Sequence, residues 1–121
     1  MRVIDELGKH ADKRLHLVFD PDESRAVRAA LGEILFGFSV EDFGAVIGTT
    51  QEHAKELFEK LNKLDLDQEN QVLLTQTDVQ VIRNAHSKTL AKLGPEEYTT
   101  RTGVALTSGQ ALAKQLETTG G

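Results

Sequence analysis

The sequence predicts a mainly α (α+β) fold built as a tandem β-α-α-α repeat. Three observations carry that expectation. Residues 17–61 align without a gap on residues 72–116 when the chain is shifted by 55 positions. In each half a short apolar or β-branched run precedes apolar residues at helical spacing. A glycine, Gly48 or Gly103, then stands at the same place in both. Seven aligned positions are identical: Arg28/Arg83, Ala30/Ala85, Leu35/Leu90, Glu41/Glu96, Gly48/Gly103, Leu57/Leu112 and Leu61/Leu116. Conservative matches keep the same rhythm, with Leu17-Val18-Phe19 on Val72-Leu73-Leu74, Val27 on Ile82 and Asp42-Phe43 on Glu97-Tyr98.

The elements follow in order. Leu15–Phe19 and Gln71–Thr75 are each long enough for one short strand. The polar stretches after them, Asp20-Pro21-Asp22 and Thr75-Gln76-Thr77-Asp78, offer side-chain oxygens to the orphan amides of a following helix. Val27, Ala30, Leu31, Ile34, Leu35 and Phe38 then form one buried helical face. Val79, Ile82, His86, Leu90 and Leu93 make its thinner counterpart. A short helix is expected from Ser39, paired with Asp42 in a capping-box-like arrangement, and from Pro95 in the second half. Gly48 and Gly103 end these helices in the left-handed conformation. A last helix presents Ala54, Leu57, Phe58, Leu61 and Leu64, matched by Leu112, Leu116 and Ala111 or Ala113.

The organisation is therefore a single domain, 1–121. It comprises an N-terminal arm (1–16), one unit over 17–64 and a second over 72–117, joined by Asp65–Asn70. Neither unit is large enough to bury its helices alone, so the two are expected to pack about a pseudo-twofold axis. Their strands then pair as a two-stranded ribbon. Gly120-Gly121 reads as a frayed tail.

Composition removes whole classes of chemistry. There is no Cys, hence no disulfide, thiolate nucleophile or Cys-ligated metal. No Walker A, GxGxxG or GxSxG sequence occurs. His10, His16, His53 and His86 form no close ligand pair. His86 replaces Leu31 of the first unit and is expected in the core, bonded to backbone or a carboxylate. Asp65-Leu66-Asp67 starts like a calcium loop, but Asn70 and Gln76 stand where glycine and glutamate are required. No catalytic residue, metal or cofactor is expected. No apolar leader follows Met1, and the stretch Leu31–Val40 is too short for a bilayer, so the expected location is cytoplasmic with no membrane partner.

Glu41–Leu57 resembles a helix-turn-helix, with Gly44 as the small crossing residue, Gly48 at the turn, and Ala54 and Leu57 holding the second helix down. That helix carries Glu52, Glu56 and Glu59, which repel phosphate, so nucleic acid is not the expected partner. DNA-binding regulation is the alternative function. The net charge of −5 lies mainly in the first unit. Residues 17–71 hold twelve acids against five bases, and residues 72–121 four against five. The expectation is a non-enzymatic protein-binding module, of inhibitor or immunity type, that meets a basic protein surface through Glu52, Glu56 and Glu59 and through Asp20, Asp22 and Glu23. A third acidic group is Asp65, Asp67 and Glu69, and a homodimer is left open.

Val81-Ile82-Arg83-Asn84-Ala85, then Pro95-Glu96-Glu97-Tyr98 and Arg101-Thr102-Gly103, resemble a family of small uncharacterised bacterial proteins with a repeated strand-helix-helix-helix unit. The resemblance covers about 45 residues of the second unit. The first departs from it at Ala29 and Val46. It implies the repeated unit and carries no activity and no site residue.

Overall fold

The computed structural model describes residues 1–7 and 14–119. Gly8, His10 and the rest of 8–13, with the Gly120-Gly121 tail, lie outside the described residues. Three strands form one antiparallel sheet in the order β1 (Arg2–Leu7), β2 (Arg14–Phe19), β3 (Asn70–Thr75). Among the described residues there are six α-helices, three between β2 and β3 and three after β3: α1 (Pro21–Gly32), α2 (Phe43–Ile47), α3 (Gln51–Leu61), α4 (Gln76–Lys92), α5 (Pro95–Thr102) and α6 (Leu106–Thr119). A π-helical turn, Glu33–Gly37, extends α1. The fold is mainly helical with a small sheet, as the periodicity predicts.

The expected ribbon of two strands is extended by a third, so that β2 is central and β3 stays at an edge. Arg2–Leu7, read from the sequence as part of an arm, pairs with β2, with a register shift between Val3 and Asp5. Val3-Ile4 and Leu7 set among charged residues hide a strand that pairs with one partner edge. The β2–β3 register is symmetric about the Leu17–Val72 pair, with His16 opposite Leu73 and Val18 opposite Gln71. Leu15, Leu17, Phe19, Val72 and Leu74 are buried along one face of this ribbon, at the two-residue period of strands. Helices α1 and α4 pack against each other and on their adjoining strands. Val27, Ala30, Leu31 and Ala85 are fully buried in that layer.

The long helices start where the polar stretches placed them. Asp20 caps α1 by accepting from the Glu23 amide at 2.7 Å, and Glu23 Oε1 accepts from the Asp20 amide at 2.9 Å. Thr75 and Asp78 repeat this capping box on α4, at 3.0 and 3.3 Å. The short helix of the first half departs from expectation. It begins at Phe43 rather than Ser39, and Asp42 precedes it in the left-handed conformation (φ 53°, ψ 53°) with no side-chain cap. The chain leaving the π-turn is extended at Phe38, which carries Ser39 past the position a capping box needs.

Gly48 (φ 92°) and Gly103 (φ 73°) end α2 and α5 in the left-handed region. Asn84 of α4 reaches across and donates to the Ile47 carbonyl at 3.0 Å, filling an acceptor that the end of α2 leaves open. Gly44 differs from the helix-turn-helix expectation. A Cβ placed there meets nothing within 4 Å, so no helix crosses at that point. These geometries predict opposite outcomes in urea denaturation. Gly48→Ala and Gly103→Ala each cost about 1 kcal/mol through the forced positive φ, whereas Gly44→Ala in the exposed helix gains about 0.5–1 kcal/mol.

Candidate functional site

Charge singles out the first half, and the structure sorts its acidic residues into three roles. Asp20 is exposed, but one of its oxygens is committed to capping α1. Asp22, also exposed, lies 3.6 Å from Arg25, which reaches Asp67 at 3.5 Å on its other side. Arg25 thus ties the start of α1 to the Asp65–Asn70 connection. Asn70 adds a second tie by donating to Ser24 Oγ at 3.1 Å. Two of the sequence clusters are thus joined through Arg25, at Asp22 and Asp67.

Glu23 is not part of that link. It is 9% exposed, holds the capping box with one oxygen and forms an ion pair with the Met1 ammonium through the other. The sequence pattern of three nearby acids did not distinguish it, because position N3 of a capped helix turns inward against the sheet end. Burial lowers the pKa of the ammonium it holds.

Glu52, Glu56 and Glu59 are all exposed along α3, whose other face buries Ala54, Leu57 and Leu61. Among the described residues, no hydrogen bond or ion pair joins them to Asp22 or Asp67. Glu56 lies 3.9 Å from His53 Nδ1, and His53 Nε2 bonds Asp78 Oδ1 at 2.8 Å. His53 therefore clasps α3 to the start of α4. Lys60 donates to the Leu73 carbonyl at 2.5 Å and covers the free edge of β3. The turn from α2 into α3 is closed by Gly48 and the Thr50 cap, and the three glutamates stand exposed on α3.

A buried polar pair lies in the second half. His86, in the core position its alignment with Leu31 indicates, bonds the Tyr98 hydroxyl at 2.8 Å rather than backbone or a carboxylate. Both side chains are fully buried, and His86 Nδ1 has no hydrogen-bond partner among the described residues. Burial holds the imidazole neutral, with its pKa lowered to about 4, and raises the Tyr98 phenol to about 12. A Cβ on Gly109 meets the Tyr98 hydroxyl in steric overlap. Fifty-five residues earlier stand Leu31, Phe43 and Ala54, all buried and all apolar. The polar pair thus depends on three linked residues. Tyr98 brings a hydroxyl, His86 supplies its partner, and Gly109 leaves it room. The signal was present in the self-alignment as three coincident exchanges, legible only once their contact is known.

Among the described residues no three His, Asp or Glu side chains are placed to share a metal ion, and no helix is long and apolar enough to cross a membrane. Compared with known proteins, the chain matches no family model, no curated protein and no solved structure.

The trio predicts coupled energetics. His86→Leu strands the Tyr98 hydroxyl and costs about 1–3 kcal/mol. Gly109→Ala overpacks it at a similar cost of about 1–3 kcal/mol. The triple variant His86→Leu/Tyr98→Phe/Gly109→Ala recovers most of that loss in urea denaturation. Strict additivity of the three changes refutes the coupling. A pH dependence follows as well. The unfolded imidazole titrates at 6.5 and the folded one at about 4, so the unfolded chain binds the extra proton first. Stability from this site is complete above pH 6.5 and is lost as pH falls toward 4, by about 3 kcal/mol in total. His86→Leu flattens this part of the stability curve.

Proposed function

We propose that this chain is a protein-binding module made of two copies of one β-α-α-α unit, and that its acidic first unit engages a basic protein partner in the manner of an inhibitor or immunity protein. The duplication is supported by a shared frame. Pro21 and Gln76 open the long helices, Gln51 and Leu106 the last ones, Asp20 and Thr75 cap, and Gly48 and Gly103 terminate, all at the 55-residue shift. A ribbon register symmetric about Leu17–Val72 is what a twofold relation between the copies requires. The departure lies in the short helices. The second begins at Pro95, earlier in the shared frame than Phe43, because proline presets the first turn.

One observation carries the functional reading. The excess of acids in 17–71 is exposed, on α3 at Glu52, Glu56 and Glu59 and also at Asp20, Asp22, Asp65, Asp67 and Glu69. In a solvated surface such a field speeds encounter with a basic partner and rejects acidic ones. Lys55, Lys60 and Lys63 stand beside the α3 glutamates, so the face is patterned rather than uniformly negative, and register with the partner's charges matters.

Charge reversal tests this directly. The triple variant Glu52→Lys/Glu56→Lys/Glu59→Lys should abolish salt-sensitive capture of a protein partner from extract of the source cell. Lys88→Glu/Lys92→Glu in the second unit should leave that capture intact. Equal capture by both variants sinks the acidic-surface reading, and retardation of duplex DNA at low salt replaces it with the regulatory one.

A further inference from the structure

The first unit departs most from the second over residues 33–42. In the second, α4 stays α-helical to Lys92, and the Leu93 amide closes it on Thr89 at 3.0 Å. In the first, Glu33–Gly37 is wound as a π-turn, closed by the Phe38 amide on Glu33 at 3.0 Å. The wider turn rotates the following side chains away from the helical stripe. Phe36 is left 66% exposed, far more than any other large apolar residue of the described chain, with its ring edge-on to Phe58 at 5.8 Å. Beside it lies a groove of about 370 Å³ whose lining includes Ile34, Phe38, Ser39, Val40, Phe43 and Gln51 and whose accessible surface is mainly polar.

Two features of charge select what fits there. Glu41 and Asp42 follow Val40 directly, and Glu52 follows Gln51, which also lines the groove. All three are exposed, and none makes an ion pair among the described residues. The groove also sits at the carbonyl end of the long helix, where the dipole is negative. The last turn there has no basic residue, whereas the matching end of α4 has Lys92. The exposed Phe36 ring and the exposed, unpaired acids near it in the chain call for opposite halves of one ligand.

We propose that this groove docks a basic amphipathic segment of the protein partner, with one apolar side chain against Phe36 and Phe38 and flanking Arg or Lys side chains at Glu41, Asp42 and Glu52. This rests on the reading of the first unit as the surface for a basic partner and gives that surface its anchor. An aromatic at the centre with charges around it is the usual distribution of energy in such contacts.

The test is an amide-resolved NMR titration of the full chain with an acetylated, amidated hexapeptide of alternating arginine and leucine. The same peptide with glutamate for arginine serves as the comparison. Saturable shifts are expected in residues 34–42 and 51–52 with the basic peptide, at least about tenfold weaker with the acidic one. Phe36→Ala and, separately, Glu41→Gln/Asp42→Asn should each raise the apparent Kd by about fivefold or more, in spectra that stay dispersed. Asn retains the left-handed backbone at position 42, and Phe36 is exposed, so neither change threatens the fold. Shifts confined to Glu56, Glu59 and 65–69 overturn the groove and leave the basic-partner reading standing. No shift with the basic peptide at millimolar concentration overturns both. Equal binding of the two peptides, or shifts in 34–42 on raising the protein concentration alone, also overturns the proposal, the last by assigning the groove to a second copy of this chain.

Discussion

The antiparallel pairing of β2 with β3 is the contact on which the rest of the molecule depends. It joins residues more than fifty positions apart and sets Leu17 against Val72 at the centre of the ribbon. Each strand feeds a capped helix within one or two residues, so the register of the ribbon also fixes where α1 and α4 begin. Those two helices lie against each other and cover the ribbon's apolar face. A one-residue slip would turn Leu15, Leu17 and Phe19 outward together, because side chains alternate along a strand. The alternation on β2 and β3 therefore specifies the core as strongly as the helical stripes do. β1 adds an outer strand to this frame without altering it.

On that frame the two halves differ in kind. The second half tolerates a hydroxyl and an imidazole at its centre, on condition that Gly109 gives up its side chain. The first has Leu31, Phe43 and Ala54 at the aligned positions and is wholly apolar there. Its novelty lies at the surface instead, in the π-turn, the left-handed Asp42 and the exposed ring of Phe36. Polar groups inside a core carry a desolvation cost whenever one partner is lost, so the His86–Tyr98 pair constrains substitution in the second half. An exposed aromatic beside unpaired carboxylates carries no such requirement for folding, and for that reason it is informative about binding.

Most of the helical scaffold was legible in the residues themselves. Apolar spacing located α1, α3, α4 and α6, and the polar stretches at Asp20 and Thr75 proved to be capping boxes with the expected partners three residues on. Gly48 and Gly103 terminate helices as their positions implied. Three features were misread for identifiable reasons. The strand in residues 2–7 has only the β-branched pair Val3-Ile4 among charged residues, and the edge of β2 recruits it. Ser39 and Asp42 have the spacing of a capping box, but spacing carries no information about the extended backbone that the π-turn imposes between them. Gly44 has the size required of a helix crossing, yet no helix approaches it. The candidate surface was read in outline: five of its six residues are exposed, while Glu23 is turned inward by the helix it caps.

The sequence alone determined the order of elements, the positions of their caps and glycine stops, and the concentration of negative charge in residues 17–71. These are properties of neighbours along the chain: periodicity, side-chain oxygens near orphan amides, and a count of ionisable groups. Tertiary structure decided which acids face solvent, that His86 meets Tyr98 over the space left by Gly109, and that Phe36 stands exposed beside a groove. Each of these depends on distances between segments remote in sequence. Such distances are settled by the ribbon register and helix packing, which local patterning restricts but does not by itself specify.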